Sequence, residues 1–182
     1  MMIALLGIGI QAHAQQQHSD ALDDVMEYVP HAAVYMLKAC GVDSRDDWPT
    51  LALTTAAAWV ASAGTAFVLK RCISESRPDG SDRRAFPSGH TTMAFSGALM
   101  LHKEFWKTSP WISVAGYGIA TFVGIDRVLR DRHYWHDVVA GAAIGTAATE
   151  LTWWLSRKVF KSKNPQVSIG FGGNTVDVAV NL

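Results

Sequence analysis

The longest apolar run of the chain lies between Leu51 and Leu69, where no position carries a charge. Its length favours a helix over a strand, and the helix is predicted over 50–71. Ahead of it, 22–40 (LDDVMEYVPHAAVYMLKAC) reads as helical, with Pro30 imposing a kink or a restart and Gly41 a stop. After it, 72–87 (CISESRPDGSDRRAFP) is the most polar internal segment, and Pro78, Gly80 and Pro87 mark it as a loop. Three more helices are predicted: from Ser88 to about Trp106, from Pro110 to Val128, and from Asp137 to Phe160. Gly141 and Gly145 in the last of these form a small-xxx-small pair that permits close helix packing. The tail changes period. Apolar residues at 167, 169 and 171, then at 176, 178, 180 and 182, flank GGN and predict a short β-hairpin over 165–182. The expected fold class is all-α, an up-down helical bundle over 15–164 followed by that hairpin.

The polar islands in this plan fall at alternate helix ends. Lys70 to Arg77 follow the first long helix, PSGH opens the second, Arg127 to His133 close the third, and Asp137 opens the fourth. In an up-down bundle these places share one end of the molecule. Lys70, Arg77, Ser88, His90, Arg127, His133 and Asp137 are thereby gathered in one region. Arginine suits phosphate because its planar fork bonds two oxygens at once, and lysine adds a point charge. SGH at a helix start adds outward-pointing amides where the dipole favours an anion, and Gly89 lets the backbone approach the oxygens. Two histidines beside such a cradle suggest catalysis, one as nucleophile and one as acid.

The spacing of these residues resembles a known family. Lys70 and the RP at 77–78 are separated by six intervening residues, PSGH follows at 87–90, and Arg127, five residues, His133, three residues, Asp137 complete the series. This looks like the three-part signature of the type 2 phosphatidic acid phosphatase (PAP2) superfamily, which includes bacterial acid phosphatases and vanadium haloperoxidases. The register separates the two histidines of DRVLRDRHYWHD. Arg130 also has a histidine six positions on, His136, but the fourth position after His136 is Ala140. His133 has Asp137 there, a carboxylate able to hold one ring N–H and fix the tautomer. The resemblance implies that His133 attacks phosphorus, Asp137 orients it, and His90 protonates the leaving oxygen and then activates water. It implies that Lys70, Arg77, Ser88, Gly89 and Arg127 hold the phosphoryl oxygens, with no metal and no other cofactor. Asp126 stands where the family usually has serine; on a helix it can pair with Arg130 at i+4. Arg83, Arg84, Arg130, Arg132, His31, His102 and His136 match no motif position and are expected to be structural or solvated, and Glu150 to pair or face solvent.

Composition narrows the setting. Sixteen basic and sixteen acidic residues give a formal net charge of zero, so no overall field attracts nucleic acid. MMIALLGIGIQAHAQQQ reads as a secretory signal ending near Ala14, although no Lys or Arg precedes its apolar part. In an oxidising compartment Cys40 and Cys72 could form one disulfide or stay as two buried thiols. Tryptophans at 48, 106, 111, 135, 153 and 154 lie near predicted helix ends, as in a membrane-interface belt or a soluble core. Only 51–69 approaches the ~20 apolar residues of a span. The glycine- and alanine-rich helices and the tryptophans favour a membrane-associated lipid phosphatase facing the periplasm of a bacterial envelope. A soluble broad-specificity acid phosphatase is the alternative. A vanadate-dependent oxidant is the third, for which the chain is short. Substrate head group and oligomeric state are not legible in the sequence.

Overall fold

A computed structural model describes residues 24–161 and the backbone of 166–172 and 175–181; the expected signal sequence at 1–14 lies outside them. Among the described residues five helices follow one another: α1 (Val29–Ala39), α2 (Trp48–Cys72), α3 (Gly89–Phe105), α4 (Pro110–Leu129) and α5 (Trp135–Lys161). Past them, β1 (Gln166–Gly172) pairs antiparallel with β2 (Thr175–Asn181), Gln166 opposite Asn181.

The helix starts follow local chemistry. Asp47 caps α2 by accepting from the Thr50 amide at 3.2 Å, with Pro49 in the first turn where its missing N–H costs nothing. Ser109 and Pro110 open α4 in the same style, without a side-chain cap bond. Pro30 restarts the chain: a short helical stretch at 24–26 ends before α1 begins at Val29. The last helix begins at Trp135, two residues before the expected Asp137, which places Asp137 in the first turn, where its charge complements the helix dipole.

α3 is the central helix. It packs against α1, α2, α4 and α5, and most of its residues are buried. Close approach is bought with glycine. A Cβ on Gly141 would lie 2.6 Å from the Ser88 carbonyl, and one on Gly145 would collide with the Thr92 carbonyl. The small-residue pair of α5 thus seats directly on the first turns of α3 and fixes Asp137 beside Ser88, whose amide donates to the Asp137 carbonyl at 3.0 Å.

On α2 and α4 the buried positions are mostly small or polar, and the bulky apolar residues mostly face outward. α2 buries Leu51, Thr54, Thr55, Ala58, Ser62 and Ala66, yet Leu53, Val60, Phe67 and Val68 are more than half exposed. α4 likewise leaves Trp111, Val114, Phe122 and Leu129 outside. Among the described residues two helices, Trp48–Cys72 and Pro110–Leu129, are long and apolar enough to cross a membrane. The second was not expected, since only 51–69 approached a span in the sequence; Asp126 pairs with Arg130 at 2.7 Å, as the i+4 spacing allows, one turn from the helix end. Five of the six tryptophans near helix ends are exposed, and Trp153 alone of these is buried. Cys40 and Cys72 are both free and exposed, which corrects the expectation of a disulfide or buried thiols. Cys40 closes α1 beside the start of α2, whereas Cys72 ends α2, so about 36 Å of helix separates them.

Candidate active site

The up-down order brings the C-terminus of α2, the N-terminus of α3, the C-terminus of α4 and the N-terminus of α5 to one pole. A 320 Å³ cavity opens there, lined by Lys70, Arg77, Gly89, His90 and His133 together with Glu27, Tyr28 and the apolar Phe67 and Met93. Lys70 sits in the last turn of α2 and donates to the Arg84 carbonyl at 2.9 Å. Arg77 lies on the loop between α2 and α3. Its amide bonds the Asp82 carbonyl and its Nε donates to Asp82 Oδ1 at 2.9 Å. That loop is tied to the one after α4: the Asp79 amide donates to the Asp131 carbonyl, and Arg132 pairs with Asp79 at 3.0 Å. Asp131 holds the tight turn in the left-handed region at φ 55, a conformation its short polar side chain tolerates. Arg127 is buried in the last turn of α4 and receives the His133 amide at its carbonyl.

His133 is 2% exposed. Its Nδ1 lies 3.4 Å from Asp137 Oδ2, and that oxygen accepts the Tyr134 amide at 2.9 Å. Asp137 is therefore held by the backbone while it faces the ring, and Nε2 is left as the nitrogen free to react. Burial, followed by the charges of Lys70, Arg77 and Arg127, pushes His133 down to about 3, so the imidazole is neutral. Burial raises the Asp137 carboxyl above its ordinary value. Ser88 is fully buried and caps α3: its Oγ takes the Thr91 hydroxyl at 2.9 Å and lies 3.4 Å from the Thr91 amide. A Cβ on Gly89 would meet only Lys70 Cε at an ordinary 3.6 Å, so no protein neighbour demands glycine there.

Two carboxylates absent from the sequence reading stand beside His90. Its Nε2 is 2.8 Å from Asp24 Oδ1 and its Nδ1 is 3.9 Å from Glu27 Oε2. Glu27 is buried in the wall of the cavity, and burial raises its carboxyl despite the opposing pull of His90. The i, i+3 spacing of Asp24 and Glu27 was the available signal: it puts both on one side of a helical turn.

The histidine off the motif is not bare. His136 Nε2 lies 2.7 Å from Glu75 Oε1 and 3.3 Å from Asp137 Oδ1. A nearby carboxylate thus fails to tell the two histidines apart. Burial and surrounding cations do, since the His136 side chain is 59% exposed. His31 is buried against α3, and His102 packs beside Trp106 and Tyr117, both outside the cavity. Glu150 pairs with Lys103 at 2.7 Å. Arg83 and Arg84 are exposed and line a separate 440 Å³ recess with Lys70, Arg71 and Ser74.

Comparison with known proteins bears on the family and the fold. A lipid A 1-phosphatase of Porphyromonas gingivalis is 36% identical over 141 residues, which are 77% of this chain and 32% of that protein. A protein of Schizosaccharomyces pombe named probable diacylglycerol pyrophosphate phosphatase 1 is 35% identical over 75 residues, 35% of this chain and 27% of its own length. The chain thus spans about a third or less of the length of these curated relatives. The crystal structure of Aquifex aeolicus LpxE superposes with a TM-score of 0.58 at 21% identity, covering 74% of this chain and 85% of that one, so the helical fold is shared. The PAP2 superfamily model matches residues 49–161, more than half of the sequence and the whole of the helical frame from α2 to α5. The chain belongs to the PAP2 superfamily.

Proposed function

We propose that the protein is a phosphohydrolase that removes a phosphoryl group from a lipid phosphate through a phosphohistidine, at the periplasmic face of a bacterial envelope membrane. The observation that carries this reading is a buried imidazole, His133, backed by Asp137 and facing one cavity with Lys70, Arg77 and His90. Three cations suit the non-bridging oxygens of a phosphoryl group, with Arg127 completing the set from α4. The Gly89 amide at the start of α3 adds a donor at the positive end of a helix, and Ser88 holds that turn in place.

In the first step His133 Nε2 attacks phosphorus and the bond from phosphorus to the lipid oxygen breaks. His90 gives its proton to that oxygen. Asp137 stabilises the positive charge that develops on the His133 ring. In the second step His90 takes a proton from water, the water oxygen attacks phosphorus, and the phosphorus–nitrogen bond breaks to release phosphate. Lys70, Arg77 and Arg127 bear the developing charge in both steps, the work divalent cations do at other phosphoryl-transfer sites.

A lipid substrate is supported by the surface. Phe67 on α2 is exposed and also lines the cavity, so an apolar face runs into the mouth of the site. The outward-facing residues of α2 and α4 suit acyl chains better than water. A periplasmic orientation is supported by the basic run SRKVFKSK at 156–163, whose Arg157 and Lys158 lie near the end of α5, at the pole away from the site.

The test is a substrate panel with EDTA present: lipid phosphates in detergent against nucleotides and sugar phosphates. Release of phosphate from the lipids at much the higher kcat/KM is expected, with an acid-labile phosphoryl group on His133 trapped by rapid quench and located by mass spectrometry. Absolute dependence on Mg²⁺ would overturn the mechanism, and equal rates on all substrates would overturn the lipid assignment.

A further inference from the structure

Beside the cavity, on its outer flank, three ligating atoms converge from two parts of the chain. His136 Nε2 lies 2.7 Å from Glu75 Oε1 and 3.3 Å from Asp137 Oδ1, and all three atoms lie within 4.8 Å of one another. A single Nε2–H can serve only one acceptor well, and here the short contact goes to Glu75. Asp137 Oδ1 is left without a hydrogen bond although its side chain is fully buried. An unbonded buried carboxylate oxygen is costly, and its direction into the cluster needs an account. The imidazole is also held in place. Its ring stacks on Tyr134, with centroids 5.4 Å apart and planes 8° from parallel, and lies 6.4 Å from the Phe86 ring on the other element.

We infer that Glu75, His136 and Asp137 form an inhibitory binding site for a zinc-class divalent cation. One ion would satisfy all three atoms at once, with water in its open position. Tetrahedral zinc with bonds of ~2.0–2.1 Å sets neighbouring ligands about 3.4 Å apart, so the observed separations need only small adjustments. An imidazole with two carboxylates selects zinc, cobalt or nickel over magnesium and calcium. The link to catalysis is Asp137, whose other oxygen faces His133 Nδ1. An ion on Oδ1 draws charge away from the carboxylate that must stabilise the ring as it becomes positive. The phosphate-holding cations stay in place, so turnover falls while substrate binding does not. This rests on the phosphatase reading for its effect on turnover, but not for the binding itself.

The experiment uses the full chain in detergent after removal of metal. Binding is read from the visible absorption of added Co²⁺, and turnover from phosphate release during a Zn²⁺ titration. Zinc should lower kcat about tenfold or more with KM nearly unchanged, and EDTA should restore it. His136→Ala and Glu75→Gln should keep turnover in EDTA and shift the Zn²⁺ and Co²⁺ midpoints by about tenfold or more. Unchanged wild-type turnover in zinc, or variants as sensitive to zinc as wild type, would overturn the proposal. Absence of phosphate release even in EDTA would defeat the phosphatase reading, and the Co²⁺ titration would then decide the metal site alone.

Discussion

The two poles of the bundle are both rich in charge, and they use it differently. At the pole away from the cavity the charges are consumed by one another. Arg157 makes a two-pronged pair with Asp46, bonding Oδ1 at 2.8 Å and closing on Oδ2 as well, and its guanidinium lies 3.9 Å over the Trp153 ring. The Asp46 amide donates to Glu104 at 3.1 Å, and burial followed by Asp46 pushes the Glu104 carboxyl up to about 7. Lys103 is shared between Glu150 and the same Trp153. Carboxylates and an aromatic face meet the cations there, and the cluster joins the segment before α2 to the end of α5. At the pole with the cavity the cations have partners too, Arg77 with Asp82 and Arg132 with Asp79, but Lys70 and Arg77 also line a cavity beside a buried neutral imidazole. What differs is whether the charged groups also face an open cavity.

Substitutions at the two poles should therefore separate activity from stability. The largest effect belongs to His133→Ala, which removes the proposed nucleophile. Turnover should fall by a factor on the order of 10⁴ or more, measured as phosphate release by the detergent-solubilised protein. Retention of more than a few per cent would break the comparison, because the cavity would then have another nucleophile. Next is Arg157→Ala, which strands a buried Asp46. The loss of stability should be about 3 kcal/mol, seen as a lower midpoint of unfolding, with kcat of the remaining folded protein unchanged. A large drop in kcat without destabilisation would show that the distal cluster reaches the site.

The difference between the poles was legible in part. The helix plan placed Lys70, Arg77, His90, Arg127, His133 and Asp137 at or beside alternate helix ends, and an up-down order brings those ends together. The Asp126–Arg130 pair and the tight seat at Gly141 and Gly145 could be read from i+4 spacing and residue size. Contacts between distant segments could not. Nothing local says that Glu75 reaches His136, sixty-one positions on, or that Asp24 and Glu27 turn toward His90. In the sequence those two acids look like solvated charges, and only tertiary packing aims them. The face of α2 was hidden for another reason. Periodicity arguments assume bulky apolar residues inside, and here the buried stripe is threonine, serine and alanine, so the pattern carries no amphipathic signal of the usual sign.

His31 gives a smaller effect at neither pole. It is buried where α1 meets Gly97, with the Ser96 hydroxyl 3.5 Å from Nε2, and burial alone pushes it down to about 4. Its folded value lies below the unfolded value near 6.5, so the unfolded chain binds the extra proton first. Stability from this group is full above pH 6.5 and drains away as the pH falls toward 4, amounting to ~2 kcal/mol lost at pH 5. Glu104, raised to about 7, shifts stability the other way over the same range, so the test is the difference between wild type and His31→Gln: from pH 7 to pH 5 the wild-type midpoint of unfolding should fall relative to that of the variant. Equal pH dependence in the two proteins would contradict the burial of a neutral ring.

The smallest effect sharpens the comparison most. His136→Ala changes a histidine three positions from the proposed nucleophile, in contact with the same carboxylate, Asp137. If a carboxylate contact made the catalytic histidine, the two substitutions would be equally damaging. The structure separates them by surroundings: His133 is enclosed with Lys70, Arg77 and Arg127, whereas His136 stands at the rim between Tyr134 and Phe86. Asp137 keeps its bond from the Tyr134 amide and its position beside His133 when the rim ring is removed. An exposed pair of this kind is worth well under 1 kcal/mol, so in the presence of EDTA kcat should change by about twofold or less. A loss approaching that of His133→Ala, in a protein that still unfolds at the wild-type midpoint, would move the nucleophile to His136 and with it the whole register of the phosphate cradle.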